Sequence, residues 1–185
     1  SIIGGVHKGL KDLTALGWID RMPRIYGVQA AGSDYLVQAF EHGEDVVTKS
    51  PIAATTVADS ISADLPRDRV KAMNAVTETG GAYLRVTDDA ILAAIPTLAR
   101  GSGVFAEPAG AAAYAGLETA VAAGLVGPDE RAAVIATGSG LKDVAGAMRA
   151  VTAAGTHPVT IPPDVDALST ALRDAGYTFE SKEPT

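Results

Sequence analysis

Apolar residues recur at spacings of three and four along Ile3, Val6, Leu10, Leu13 and Leu16, with Lys8, Lys11 and Asp12 between them. That period puts them on one stripe of a helix, which Gly17 ends. Arg24 to Gln29 follows Pro23 and predicts a strand, and Ser33 to His42 predicts a helix capped by Ser33. Residues 43–64 are polar and turn-rich, with Pro51 and several threonines, and predict an irregular excursion. Pro66 suits the first turn of a helix running to about Thr79, with Gly80-Gly81 as its stop. Ala82 to Val86 predicts a short strand. Thr87 caps the next helix, where Asp88 and Asp89 meet the favourable end of the dipole. Pro96 within that helix predicts a kink or an early stop. A helix from near Pro108 to Ala123, closed by Gly124, is rich in alanine and so able to lie close on a sheet. Val134 to Ala136 predicts a strand and Leu141 to Ala153 a helix. Pro158 to Ile161 predicts an extended piece, Asp164 to Ala175 a last helix, and the polar end after Glu180 a frayed tail.

Such alternation predicts an α/β fold: an open, mostly parallel sheet with helices on both faces. The chain shows no internal repeat and no second domain boundary, so residues 1–185 are read as one unit with a polar tail from about 180. Its 185 residues suit a single sizeable core. With 47% apolar and 20% charged residues the composition is that of a folded chain. The net charge of −7, without any basic block, argues against a nucleic-acid partner. The absence of cysteine excludes disulfides, thiolate nucleophiles and cysteine metal sites. No apolar run reaches the length of a membrane span and no leader pattern opens the chain, so a soluble cytoplasmic protein is expected. The sequence starts at Ser1, without methionine and directly at a helix cap, which predicts a fragment or a processed chain.

The densest chemistry lies in Val134 to Asp143, where an apolar run ends in Thr137 and two glycines, Gly138 and Gly140, bracket Ser139. A turn there exposes Thr137 at the carboxyl end of a strand, where open α/β sheets place their ligands. Glycines at 138 and 140 leave room for a flat group to lie against the backbone. Glu107 stands before Pro108 at a helix entrance and by itself reads as a dipole partner. His7, His42 and His157 are scattered without metal-ligand spacing, so no metal site is assigned.

Six segments, in order, resemble the threonine synthase branch of the pyridoxal-phosphate enzymes of fold type II, the tryptophan-synthase-like fold. They are Ser1 to Gly9, Thr56 to Ile61, Leu65 to Asp68, Glu78 to Gly81, Val104 to Ala112 and Thr137 to Asp143. The resemblance implies the C-terminal part of a lyase converting O-phospho-L-homoserine and water to L-threonine and phosphate, with pyridoxal 5′-phosphate as cofactor. It implies cofactor contacts from Ser1 (the last hydroxyl of a phosphate-gripping loop), Thr137 (at the pyridine nitrogen), Gly138 and Glu107. Thr56, Ala58 and Asp59 match a stretch that lines the substrate side. Bland alternatives stay open: Ser1 as a helix cap, Thr137 bonding its own backbone, Asp59 in an ordinary polar loop.

Threonine synthases often carry histidine where this chain has Ser139. Some racemases of the fold bind a cation just after the position of Val28, but Gln29 to Ser33 here is uncharged, leaving only Asp34. The lysine that carries the cofactor as a Schiff base lies in a family motif this chain lacks. Lys8, Lys11, Lys49, Lys71, Lys142 and Lys182 all stand in other contexts. The expected partners are therefore the N-terminal remainder of the enzyme, a small amino-acid substrate and a second copy in a homodimer. Two rivals remain: a threonine or serine dehydratase or β-replacement enzyme of the same fold, and a non-catalytic binding domain without the lysine.

Overall fold

The computed structural model describes residues 2–155, 157 and 159–178. Two compact units divide the chain, Ser1–Ala154 and Gly155–Thr185. The first holds two strands, β1 (Gly27–Ala30) and β2 (Tyr83–Val86), and helices α1 (Ile2–Ala15), α2 (Tyr35–His42) and α3 (Arg69–Glu78). Helices α4 (Asp88–Ser102), α5 (Pro108–Ala122) and α6 (Val144–Ala153) complete it. The second unit carries α7 (Val165–Asp174), which Asp164 caps by accepting from the Ala167 N–H at 3.0 Å.

The strands pair in parallel, with Gly27 opposite Tyr83 and Ala30 opposite Val86. Strand alternation sends residues 27, 29, 83 and 85 to one face and residues 28, 30, 84 and 86 to the other. On the first face Tyr83 joins Tyr35, Leu36 and Val37 of α2 and Ala72 and Val76 of α3. On the second, Ala30 and Val86 join Ile91, Ile95, Ala111 and Ala115 of α4 and α5. Helices thus cover both faces of a parallel sheet, as the alternation predicts. Helix α5 packs tightly on β1, where a Cβ on Gly116 would stand 2.3 Å from Val28 Cγ2.

Several local expectations are corrected. Ser33 does not cap α2: its hydroxyl accepts from the Ala63 N–H at 3.0 Å and faces the Ile61 carbonyl at 3.4 Å. Gln29 meets the free first-turn N–H groups instead, its Oε1 accepting from Leu36 at 2.7 Å and Val37 at 3.0 Å. The helix predicted from Pro66 begins at Arg69. Pro96 does not stop α4, which continues to Ser102. Its neighbours Ile91, Leu92, Ala94, Ile95 and Leu98 are all buried, and packing of that face against α5 and α6 outweighs the lost backbone bond. Val134 to Ala136 forms no strand. A strand needs a neighbour to ladder with, and among the described residues this run has none; the first pairing comes only at Ser139. Gly17 and Gly124 do end their helices, both at positive φ (71° and 69°).

Tyr83 carries a buried phenol with no hydrogen-bond partner among the described residues. Its ring meets Phe40 edge-on at 5.8 Å, and burial pushes the phenol well above the ordinary tyrosine range. Tyr83→Phe keeps the ring and removes the orphaned oxygen, so urea unfolding at neutral pH is expected to show a gain of about 1 kcal/mol. A raised folded-state value means stability is complete below the unfolded phenol's value of about 10 and is lost as pH rises above it. The phenylalanine variant is expected to resist that alkaline loss; a parallel decline in both proteins would show that Tyr83 is not its source.

Candidate functional site

Two of the sequence segments that resemblance singled out come together at the amino end of α5. Phe105 to Glu107 runs in extended and pairs with the turn at residues 138–140. Ala106 bridges Ser139 antiparallel, the Glu107 N–H donates to the Gly138 carbonyl at 2.9 Å, and the Gly140 N–H donates to the Phe105 carbonyl at 3.0 Å. The turn then passes through a single 3₁₀ turn at Gly140–Lys142 into α6. Asp143 caps that helix by accepting from the Gly146 N–H at 2.8 Å.

Side chains tighten the junction. Glu107 is only 6% exposed, and its Oε1 accepts from Lys142 Nζ at 3.1 Å. A Cβ on Gly138 would stand 2.0 Å from that same Oε1, and a Cβ on Gly140 would stand 2.3 Å from Phe105 Cε2. The room expected above the two glycines is therefore filled by this chain's own carboxylate and phenyl ring. Gly110 completes the fit, since its Cβ would meet Gly138 backbone oxygen and nitrogen at 2.9 and 3.1 Å. Thr137 is exposed beside this junction, and among the described residues it makes no hydrogen bond.

A second group forms around Asp88 at the start of α4. Thr56 Oγ1 donates to Asp88 Oδ1 at 2.5 Å, the Val57 N–H donates to Oδ2 at 3.0 Å, and Thr56 Oγ1 accepts from the Ala58 N–H at 3.2 Å. Ala58 is fully buried among Ala30, Val86 and Ile91. Asp59 is exposed and opens a 3₁₀ turn, Asp59–Ile61, that packs on α5. No hydrogen bond or ion pair among the described residues joins this group to the first. Ser1 lies outside the described residues.

Residues 1–138 match the family model described as pyridoxal-phosphate dependent enzyme. The chain belongs to that family. It is 36% identical to the threonine synthase of Methanocaldococcus jannaschii over 93% of its own length and 41% of the relative's. It is likewise 36% identical to the threonine synthase of Methanosarcina acetivorans over 92% of this chain and 41% of that one. Against the threonine synthase of Mycobacterium leprae the identity is 38% over 82% of this chain and 40% of the relative. The chain thus spans about two fifths of the curated relatives it matches. Among solved structures it is similar to the processed form of threonine deaminase isoform 2 from Solanum lycopersicum. There the TM-score is 0.64 at 21% identity, over 83% of this chain and 41% of that one. That likeness carries the fold, which is the expected fold type II. Pyridoxal phosphate is the cofactor of the family.

Lys142, Asp88 and Phe105 also belong to these two groups, although their sequence contexts mark Lys142 only as a lysine outside the Schiff-base motif, Asp88 only as a dipole partner and Phe105 only as part of the Val104 to Ala112 segment. A signal for Lys142 existed: a glutamate at the mouth of an alanine-rich, buried helix needs a cation, and Lys142 follows the partner turn.

The contact at Gly138 gives a direct test. Gly138→Ala is expected to destabilise the chain by about 2 kcal/mol, because the methyl group meets a buried carboxylate rather than a flexible surface chain. In Gly138→Ala/Glu107→Ala the obstacle is gone, so denaturant titration is expected to show less than the sum of the two single losses. Strict additivity would place the strain elsewhere.

Proposed function

We propose that this chain is the C-terminal part of a pyridoxal-phosphate-dependent carbon–oxygen lyase that converts O-phospho-L-homoserine and water to L-threonine and phosphate. The observation that carries the reading is continuous identity of 36% to threonine synthases over 93% of the chain, through both segments that meet at the amino end of α5. In the reaction the Cγ–O bond breaks and phosphate leaves, Cβ gives up one proton and Cγ takes one up, and water adds its hydroxyl at Cβ while its other proton goes to the phosphate. Pyridoxal phosphate, when bound, supplies the electron sink for carbanions formed on the substrate.

The chain's own residues then have positional tasks. The Thr137 hydroxyl, exposed and without a partner among the described residues, suits the edge of a pyridine ring, where it would bond the nitrogen without charging it. Gly138, a cofactor-side residue by position next to Thr137, admits the Glu107 carboxylate directly behind that turn. Ser1 closes the loop that grips the cofactor phosphate. On the substrate side Thr56 orients the loop through Asp88, Ala58 anchors it in the core, and Asp59 presents an exposed carboxylate. Among the described lysines, Lys8, Lys11, Lys49 and Lys142 are ion-paired with Asp12, Glu78, Glu44 and Glu107. The cofactor-bearing lysine is assigned to the N-terminal remainder of the enzyme, and the assembled protein is taken to be a cytoplasmic homodimer. Among the described residues no helix is long and apolar enough to cross a membrane.

A second reading, a dehydratase of the same fold, draws on Ser139 in place of the histidine frequent in threonine synthases. Assaying the chain together with its lysine-bearing remainder separates the two: phosphate release from phosphohomoserine supports the proposal, and a 2-oxo acid from threonine supports the rival. Neither product would leave a non-catalytic domain. Removing the Thr137 hydroxyl tests the site itself. Thr137→Val is expected to weaken pyridoxal-phosphate binding about fivefold, the worth of one hydrogen bond of about 1 kcal/mol, while Thr137→Ser binds as wild type. Absorbance titration of the assembled apoenzyme measures both.

A further inference from the structure

We propose that Lys142 is a positioning residue: by holding the Glu107 carboxylate against Gly138 it sets the place of the adjoining Thr137 hydroxyl. The inference rests on the reading of Thr137 and Glu107 as cofactor-side residues. A side chain that stands just before a helix ordinarily turns back and accepts a first-turn N–H. Glu107 occupies that position on α5, yet its carboxylate caps nothing. It reaches across to the opposite segment, where Lys142 Nζ donates to Oε1 at 3.1 Å. The lysine side chain is 61% exposed and the glutamate side chain only 8%, so a surface cation reaches in to a buried anion. Among the described residues this is the only hydrogen bond the carboxylate makes.

A buried carboxylate stripped of its cation is strongly disfavoured. With Lys142 gone, Glu107 loses what holds it across the junction and swings back to cap its own helix. That moves the carboxyl off Gly138, whose Cβ direction it now fills at 2.0 Å. Gly138 is the next residue to Thr137, so the turn that presents the hydroxyl, still tied through its backbone to Phe105 and Glu107, loses the carboxylate that backs it. Lys142 therefore acts on the cofactor side through Glu107, without touching the cofactor.

The test compares Lys142→Met, Lys142→Arg, Glu107→Gln and Lys142→Met/Glu107→Gln in the assembled enzyme. Readouts are the pyridoxal-phosphate dissociation constant, the absorption maximum of the bound cofactor, and the melting temperature of the apoenzyme. Lys142→Met is expected to weaken cofactor binding at least fivefold and to shift the absorption maximum, and Lys142→Arg to restore both. The double variant is expected to bind as Glu107→Gln does, since the lysine has nothing left to hold. Should Lys142→Met not accumulate as folded protein, the comparison of Glu107→Gln with the double variant, in which no carboxylate needs a cation, carries the test alone. A Lys142→Met enzyme with a lowered melting temperature but wild-type affinity and spectrum would overturn the proposal and leave a merely structural ion pair. A double variant that binds worse than Glu107→Gln would overturn it too. If Thr137→Val also binds as wild type, the cofactor reading of the turn fails; if Thr137→Val weakens binding and Lys142→Met does not, only the role of Lys142 falls.

Discussion

Helix α5 lies closer to its surroundings than side chains of ordinary size permit, and the rest of the first unit is arranged around that closeness. At Gly116 the helix backbone meets Val28 of β1, and at Gly110 it meets the backbone of Gly138. Between these points Ala111, Ala112 and Ala115 are buried against α4 and the sheet. Interiors are packed to crystal-like density, so each small residue is matched by a neighbour that has moved in. The position of the 137–140 turn is thus a consequence of how far α5 sinks toward the sheet. A larger residue at either glycine would displace both the strand and the candidate site.

Electrostatics work on a different scale in the same unit. Arg85 leaves β2 on the α2 face and holds Asp34 through Nε at 2.7 Å and both oxygens of Glu41 through its terminal nitrogens. The pairing lowers the Glu41 carboxyl and raises the Arg85 guanidinium from their ordinary values, with their mutual hydrogen bonds as the leading cause. Because Glu41 and Arg85 are solvent-exposed, their pairing adds little to the stability of the fold. Asp88 and Glu107 do the opposite. Each anion stands at a helix start, Glu107 buried and Asp88 half-buried, and ties an irregular segment to that start: Asp88 the 56–58 loop, Glu107 the 137–140 turn. Rigid helix ends thereby locate loops that have no ladder of their own.

The chain accounts for about two fifths of the threonine synthases it resembles, and its structure carries the mark of a partial fold. Parallel sheets are stable when buried on both faces and flanked by further strands, yet only β1 and β2 pair among the described residues. Ile135 lies half exposed in a run that pairs with no strand among the described residues, and Leu141, in the turn into α6, is 76% exposed. Both adjoin the proposed cofactor side.

Periodicity and punctuation were enough to locate α1, α4, α5 and α7, because stripes of apolar residues, a capping threonine or aspartate and a terminal glycine act within a few residues of each other. They were enough for helices on both faces of a parallel sheet, since alternation of strand and helix leaves few other topologies. Motif order alone indicated the family. What local signals misjudged were places where a distant segment outbids a near one. Ser33 gave up the cap of α2 because the 61–63 loop offered it a buried partner, and Gln29 from the strand took its place. The early stop read at Pro96 was overruled by the burial of its own helix, and among the described residues Val134 to Ala136 lacked the neighbour that makes an apolar run a strand. The sequence by itself determined which segments form most of the helices and which family the chain belongs to, because those depend on backbone preference and on side-chain type in order along the chain. Only the tertiary structure decided that Glu107 fills the space above Gly138 and that Lys142 answers it, because a buried charge takes the partner that packing brings within reach.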